Sequence, residues 1–301
     1  MSRIKPEDDF CHDDYPRNIT DMWKENWYFN FVDLENKAWG YNHFSLRRDS
    51  QTGIFRAMHV VDDVPLIYEN EIGIAERCEK VSDGSLSFEV IIPHEKHRVA
   101  FNGPQHNIDL LYEARFGLVD SGAGERNPPS TGRRLHIEHY EQAMLVSGVI
   151  TKDGKTRAIS CQGHRDHSWG FRNEALIQGW NWIAIQFPEK TFSFAKAKIT
   201  KEFAVDRGHI SYSSGNTIIK KIQILSTDRD SSGVPIGTRY KLEDEKGCSY
   251  LISSKRFSNI SLPMKEKKDG IVHENFSSFV IEESGDIGIG IDEYMENVQY
   301  E

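Results

Sequence analysis

Cysteine is scarce and scattered in this chain. Cys11, Cys78, Cys161 and Cys248 form no Cys-x-x-Cys pair, so their spacing encodes neither a disulfide framework nor a zinc site. No apolar run reaches the ~18 residues that a membrane-spanning helix needs. The first residues, Met1-Ser-Arg-Ile-Lys-Pro-Glu-Asp-Asp9, lack the apolar centre of a signal peptide, and the expected location is the cytosol. Basic charge is not in excess: 37 Lys and Arg face 46 Asp and Glu, a net charge of −9. A nucleic-acid partner is therefore not expected, because it would call for a basic stripe, nor is stable attachment to an anionic membrane. Gly-x-Ser-x-Gly elbows and phosphate loops are missing as well; Gly288-Ile-Gly290 is followed by neither a helical pattern nor Lys-Ser/Thr.

Aromatic residues are plentiful, with 6 Trp, 11 Tyr and 16 Phe in 301 residues. They fall in short alternating runs separated by Gly, Pro, Asn and Asp, and long amphipathic helical patterns are rare. Trp27, Phe29 and Phe31 take one face of a strand, and Tyr28, Asn30 and Val32 the other. Turn signals every 8–12 residues predict an all-β protein of barrels or sandwiches. Residues 1–20 read as a loosely held arm. The Gly- and Pro-rich stretch 121–134 reads as the link between two β-domains, 1–130 and 131–301.

Two hairpins can be registered by counting. Asp49–Gly53 as a five-residue loop sets His43 opposite His59. Asp153-Gly154 as a two-residue turn sets Tyr140 opposite His167 and Glu141 opposite Asp166. The second hairpin carries the densest polar stretch in the chain, Cys161-Gln-Gly-His-Arg-Asp-His-Ser-Trp-Gly-Phe-Arg172. Buried charges need partners, so this stretch predicts a strand end at the mouth of a pocket.

His167, Asp166 and Tyr140 are the candidate catalytic residues. An acid that protonates carbon needs aromatic faces to shelter the resulting cation. Trp169, Trp180 and Trp182 supply such faces, with Arg165, Glu138, Trp27, Tyr28 and Phe31 as further substrate contacts. The competing reading is a structural ion-pair cluster in which Arg165 or Arg172 holds Asp166. Alternation puts Asp166 and His167 on opposite strand faces, so Tyr140 is the more natural partner of His167. A metal built from His136, Glu138 and His167 is conceivable, but no metal is expected.

Taken together, Trp27-Tyr-Phe-Asn-Phe-Val-Asp33, Gly163-His-Arg-Asp-His-Ser-Trp-Gly170 and Gly288-Ile-Gly-Ile-Asp-Glu293 resemble a bacterial branch of a wider group. That group includes the carotenoid 1,2-hydratases (hydroxyneurosporene synthases), kievitone hydratase and the fungal lipocalin-like Diels–Alderases. The resemblance implies two tandem lipocalin-like β-domains, an apolar small-molecule substrate and no cofactor. Carotenoid hydratases pair a His-x-Trp pattern, matched by His167-Ser-Trp169, with a later Tyr-x-Asp. The next strand here reads Thr191-Phe-Ser-Phe-Ala-Lys196 and does not match, so either an acid from another strand serves or the reaction differs. The implied function is cofactor-independent acid–base hydration, dehydration, isomerisation or cyclisation of an isoprenoid- or polyketide-type molecule. The alternatives are a carrier of such molecules without chemistry and a pericyclase.

Overall fold

The computed structural model describes residues 3–12, 23–48, 50–73, 80–121, 124–126, 135–171, 177–199, 204–264, 267 and 270–297. Arg172 and most of the 121–134 stretch lie outside these residues. The chain is all-β, as expected. Among the described residues the only helical element is a 3-10 turn, Pro6–Asp9, and no helix is long and apolar enough to cross a membrane.

Two compact units divide the chain, Met1–Arg172 and Asn173–Glu301. The boundary expected near residue 130 therefore moves some forty residues on. The long hairpin that follows the Gly/Pro stretch completes the first sheet and does not start the second, because its backbone groups pair with strands on both sides.

The first unit is one antiparallel sheet. Its strands are β1 Trp23–Asp33, β2 Ala38–Arg47, β3 Thr52–Val61, β4 Val64–Gly73, β5 Lys80–Ser82, β6 Leu86–Ile92, β7 Lys96–Asn102 and β8 His106–Ala114. The short β9 Val119–Asp120 and β10 Gly124–Arg126, then β11 Leu135–Lys152 and β12 Lys155–Phe171, complete it. The spatial order is β4-β3-β2-β1-β12-β11-β8-β7-β6-β5, with β9 and β10 also on β11. Its inner face packs Trp27, Phe29, Phe31, Phe44, Phe55, Phe88 and Tyr112 into one core. Each such side chain contributes ~1.5–3 kcal/mol when fully buried.

Register follows turn chemistry. Asp153 and Gly154 both take positive φ (52° and 72°), the primed turn that suits strand twist, and Lys152 pairs with Lys155. Tyr140 consequently faces His167, and Glu141 faces Asp166, as counted. The β2–β3 loop is shorter than expected: Arg47 pairs with Thr52, which sets Gly40 opposite His59 and His43 opposite Arg56. His59 instead meets His106, with Nδ1 and Nε2 2.6 Å apart.

The second unit is a closed antiparallel barrel. It runs in chain order through β13 Gly179–Gln186, β14 Thr191–Lys198, β15 Ala204–Tyr212, β16 Gly215–Arg229, β17 Pro235–Asp244, β18 Ser249–Pro263, β19 Gly270–Ile281 and β20 Ile287–Asn297. Its core gathers Ile183, Ile185, Phe192, Phe194, Tyr240, Leu242, Ile252 and Phe279. Gly290 is a close-approach position in the closing strand. A Cβ there would stand 2.0 Å from the Ala184 carbonyl oxygen, so the glycine motif near the C-terminus serves strand packing.

Candidate functional site

Three adjacent strands present one face to the same place. β1 offers Glu25, Trp27 and Phe29; β12 offers Arg165, His167 and Trp169; β11 offers Glu138, Tyr140 and Gln142. Alternation puts Tyr28, His139, Glu141, His164 and Asp166 on the opposite face. There His139 Nε2 lies 3.6 Å from Asp166 Oδ1, and His164 Nε2 lies 3.4 Å from Glu141 Oε2. Asp166 and His167 are thus separated by the sheet itself.

The N-terminal arm completes the site, contrary to the expectation of a loose segment. Pro6 starts the 3-10 turn with its φ preset, and Asp8 Oδ2 accepts from the Lys5 amide at 2.7 Å. The turn delivers Asp9 inward, where it is only 2% exposed. Arg165 Nη1 donates to Asp9 Oδ1 at 2.7 Å, and the Tyr140 hydroxyl donates to the same oxygen at 2.5 Å. His97 Nε2 lies 2.9 Å from Asp9 Oδ2. Burial alone would raise the Asp9 pKa. The Arg165 guanidinium and the bonds from His97 and Tyr140 outweigh it and hold the carboxyl well below the usual range.

Three residues further along, His12 stacks on Trp169, with ring centroids 4.2 Å apart and planes 18° from parallel. Its Nδ1 lies 3.0 Å from Glu25 Oε1, and its Nε2 lies 3.4 Å from Asp8 Oδ1. Glu25, with no exposed surface, also lies 2.8 Å from His167 Nε2 through the same oxygen. Behind it, His167 Nδ1 lies 3.1 Å from the Tyr140 hydroxyl. The result is one chain of titratable groups: Asp9, Tyr140, His167, Glu25, His12.

The proton positions in this chain are constrained. Tyr140 gives its hydrogen to Asp9, so its oxygen is free to accept one from His167 Nδ1. The Trp27 indole N–H points at His167 Nε2 from 2.8 Å and suits a bare nitrogen there. Glu25, equally near, needs a hydrogen on that nitrogen. A neutral ring cannot serve all three neighbours, and a second proton on His167 would satisfy Tyr140 and Glu25 together. Burial lowers the His167 pKa despite Glu25. His12 moves the other way: burial lowers it, but the bonds to Glu25 and Asp8 prevail and raise it. Burial would lift Glu25, yet its two histidine partners bring it down to about 2. The shifts favour the Glu25 carboxylate, the charged form of His12 and the neutral form of His167.

His12, Glu25 and His167 also bring three ligand-type atoms within 4.8 Å of one another, the set among the described residues that could hold a metal. The Trp27 N–H aimed at His167 Nε2 opposes that use, since it engages the lone pair a metal would take. The set differs from His136, Glu138 and His167. Glu138 pairs with Arg3 (3.3 Å), and the side chain of His136 lies outside the described residues.

Of the residues singled out in the sequence, His167, Tyr140, Arg165, Trp169 and Trp27 converge here. Phe31 is core on the same face, beside His59. Tyr28 stacks on Tyr41 across the sheet, with centroids 5.1 Å apart. Trp180 and Trp182 belong to β13 of the second unit. Sequence reasoning missed Asp9, His12, Glu25 and His97. Only Glu25 carried a signal: it continues the Trp27–Phe29–Phe31 face by one step, as a carboxylate on an apolar strand face.

Comparison with known proteins identifies the family and the fold. A family model described as "Domain of unknown function (DUF7064)" matches residues 5–298. The chain belongs to that family. No curated protein gives a significant match. Among solved structures, a protein assigned as AttH (NE1406) from Nitrosomonas europaea superposes with a TM-score of 0.77 at 14% identity, covering 99% of this chain and 98% of that one. Kievitone hydratase from Nectria haematococca gives a TM-score of 0.62 at 14% identity over 90% and 88% of the two chains. CghA, solved with Sch210972, gives 0.62 at 9% identity over 91% and 87%. These likenesses establish the shared fold and match the resemblance read from the motifs.

Proposed function

We propose that this DUF7064 protein is a cofactor-independent enzyme that moves protons to and from carbon in an apolar isoprenoid- or polyketide-type molecule. The reaction class is hydration or its reverse, isomerisation or cyclisation. One observation carries the reading: a fully buried carboxylate, Glu25, bridges two histidines whose pKa values are pushed apart. Structural ion pairs do not need that asymmetry, whereas acid–base catalysis uses it directly.

In this reading His12 is the group that meets substrate, because it is the outermost member of the chain and lies against the partly exposed Trp169. For hydration, the His12 imidazolium gives its Nε2 proton to one alkene carbon. Trp169 shelters the cation at the other carbon, and water adds there. The proton that water sheds returns to His12, so the atoms balance without a cofactor. Glu25 holds the imidazolium in place, and His167 behind it positions the Glu25 carboxylate while His12 loses and regains its proton. Asp166, on the opposite sheet face, has no part in it.

The test begins with mass analysis of whatever small molecule co-purifies, followed by its incubation with the protein in D2O. Deuterium should enter at carbon. Glu25→Gln keeps the shape and removes the charge, and should slow incorporation by roughly 10²-fold or more. Asp166→Asn should leave the rate within about twofold, since it lies outside the relay. Product free of deuterium would point to a pericyclic reaction, and ligand recovered unchanged would point to a carrier; either result overturns the proposal.

A further inference from the structure

The chemistry proposed above puts its acid on a segment that belongs to no strand. Residues 3–12 carry His12, whose ring must stand against Glu25 and Trp169 for the reaction to run. A misplacement of about 1 Å is enough to cost a reaction ~10²-fold, so something must hold this arm in register with the sheet.

Asp9 is where the arm is fixed. Its carboxylate meets four donors, and all of them come from the sheet. Arg165 Nη1 of β12 and the Tyr140 hydroxyl of β11 reach Oδ1 at 2.7 and 2.5 Å. His97 Nε2 of β7 lies 2.9 Å from Oδ2, which also accepts from the His94 amide in the β6–β7 turn. A carboxylate only accepts, so His97 carries its hydrogen on Nε2, and the four bonds fill the lone-pair positions available.

These donors are aimed by the sheet itself. Gln142 Nε2 donates to the His94 and Phe116 carbonyls at 2.8 and 3.1 Å, which leaves its Oε1 to accept from Arg165 Nε at 3.1 Å. The guanidinium is thus oriented by β11 and the β6–β7 turn, not by the arm. His94 holds a left-handed backbone conformation (φ 63°), uncommon for a residue with a side chain, and its amide goes to Asp9. The sheet presents a carboxylate pocket, and the arm supplies the carboxylate.

Three residues of chain span at most ~11 Å, so fixing Asp9 confines His12 to the neighbourhood of Glu25. Between them Cys11, 2% exposed, enters the core. The His12 amide then donates to Glu25 Oε2 at 2.9 Å, and Arg48 Nη2 donates to the His12 carbonyl. A buried ion pair is often no more stabilising than packed apolar side chains of like volume, whereas fixing a register is a use it serves well.

We propose that Asp9 is the positioning residue of the site: it latches the arm into the carboxylate pocket and thereby places His12 against Glu25 and Trp169. The effect on rate rests on the proton-relay reading, whereas the placement of His12 is measured without it.

Native-state hydrogen exchange of the intact chain is the first test. The Phe10 and His12 amides flank Asp9 and donate to the Glu7 carbonyl and the Glu25 carboxylate, so they should open as one unit at a common rate. Exchange of His12 well ahead of Phe10 would overturn the proposal. The second test is the full chain with Asp9→Ala and Arg165→Met together, which removes the latch without leaving a buried charge unpaired. With the sheet still folded by circular dichroism, the nuclear Overhauser contact between the His12 and Trp169 rings should vanish. Deuterium uptake at carbon should slow by about 10²-fold. A ring contact that persists would overturn the proposal; should the double variant not fold, the exchange pattern of the intact chain decides. Loss of the ring contact beside an intact protein that takes up no deuterium would keep the latch and remove the relay.

Discussion

At the scale of single residues, the first unit is held by one oxygen-rich point. Asp9 compensates the buried Arg165 guanidinium, accepts from Tyr140 and lies within hydrogen-bonding distance of His97. Removing one partner of a buried ion pair strands the other, at a cost of about 3–5 kcal/mol. Asp9→Asn should lower the stability of the first unit by that order in chemical denaturation, although Asp9 comes from a segment that looks dispensable in the sequence. Replacing Asp120, which pairs at the surface with the exposed Arg3, should cost at most about 1 kcal/mol in the same assay.

At the scale of elements, the β1–β12 pair positions the relay, and its closeness depends on Gly163. A Cβ at that position would lie 2.2 Å from the Asn30 carbonyl oxygen, which is backbone and cannot move aside. Gly163→Ala should therefore cost roughly 2–4 kcal/mol and depress activity, because it pushes Glu25 away from His167. Gly154→Ala, in the open β11–β12 turn, meets only the positive-φ penalty of about 1–2 kcal/mol and should leave the relay intact. Melting temperatures and D2O exchange rates of the two variants check the contrast. The turn that sets this hairpin was legible in Asp153-Gly154, and with it the meeting of Tyr140 and His167. The pairing of β1 with β12 was not legible, since some 140 residues separate Trp27 from His167 and no local turn dictates that neighbour.

At the scale of the whole molecule, stability should fall on mild acidification. Burial keeps His97 neutral, bringing its pKa from 6.5 to about 4, and His59 and His106 are lowered as well. Unfolding frees these rings to bind protons. The unfolded chain therefore holds more protons between pH 6.5 and 4, and stability is lost as pH falls through that window. His97 alone accounts for about 3 kcal/mol by pH 4. Glu25 adds to the loss between its ordinary value of 4.5 and about 2. His12, raised, acts on the other side: its contribution is complete below pH 6.5 and fades as pH rises through its folded value. Thermal melts from pH 4 to 8 should show the steepest change below 6.5, and His97→Asn should flatten it. In the barrel, Asp292 is pushed up by burial and works in the opposite sense, while the lowered His273 adds to the loss on acidification.

Alternation and turn chemistry are local, and the sequence by itself determined what they control. These include the all-β class, the faces of β1 and β12, the long hairpin with its facing pairs, and the convergence of His167, Tyr140, Arg165 and Trp169. Only the tertiary structure decided which strands became neighbours and where the first unit ended, because both depend on pairing between segments far apart in the chain. It alone brought Asp9 and His12 into the centre of the site. Nothing in a short acidic arm distinguishes a solvated tail from one whose carboxylate is needed by a buried arginine 156 residues away.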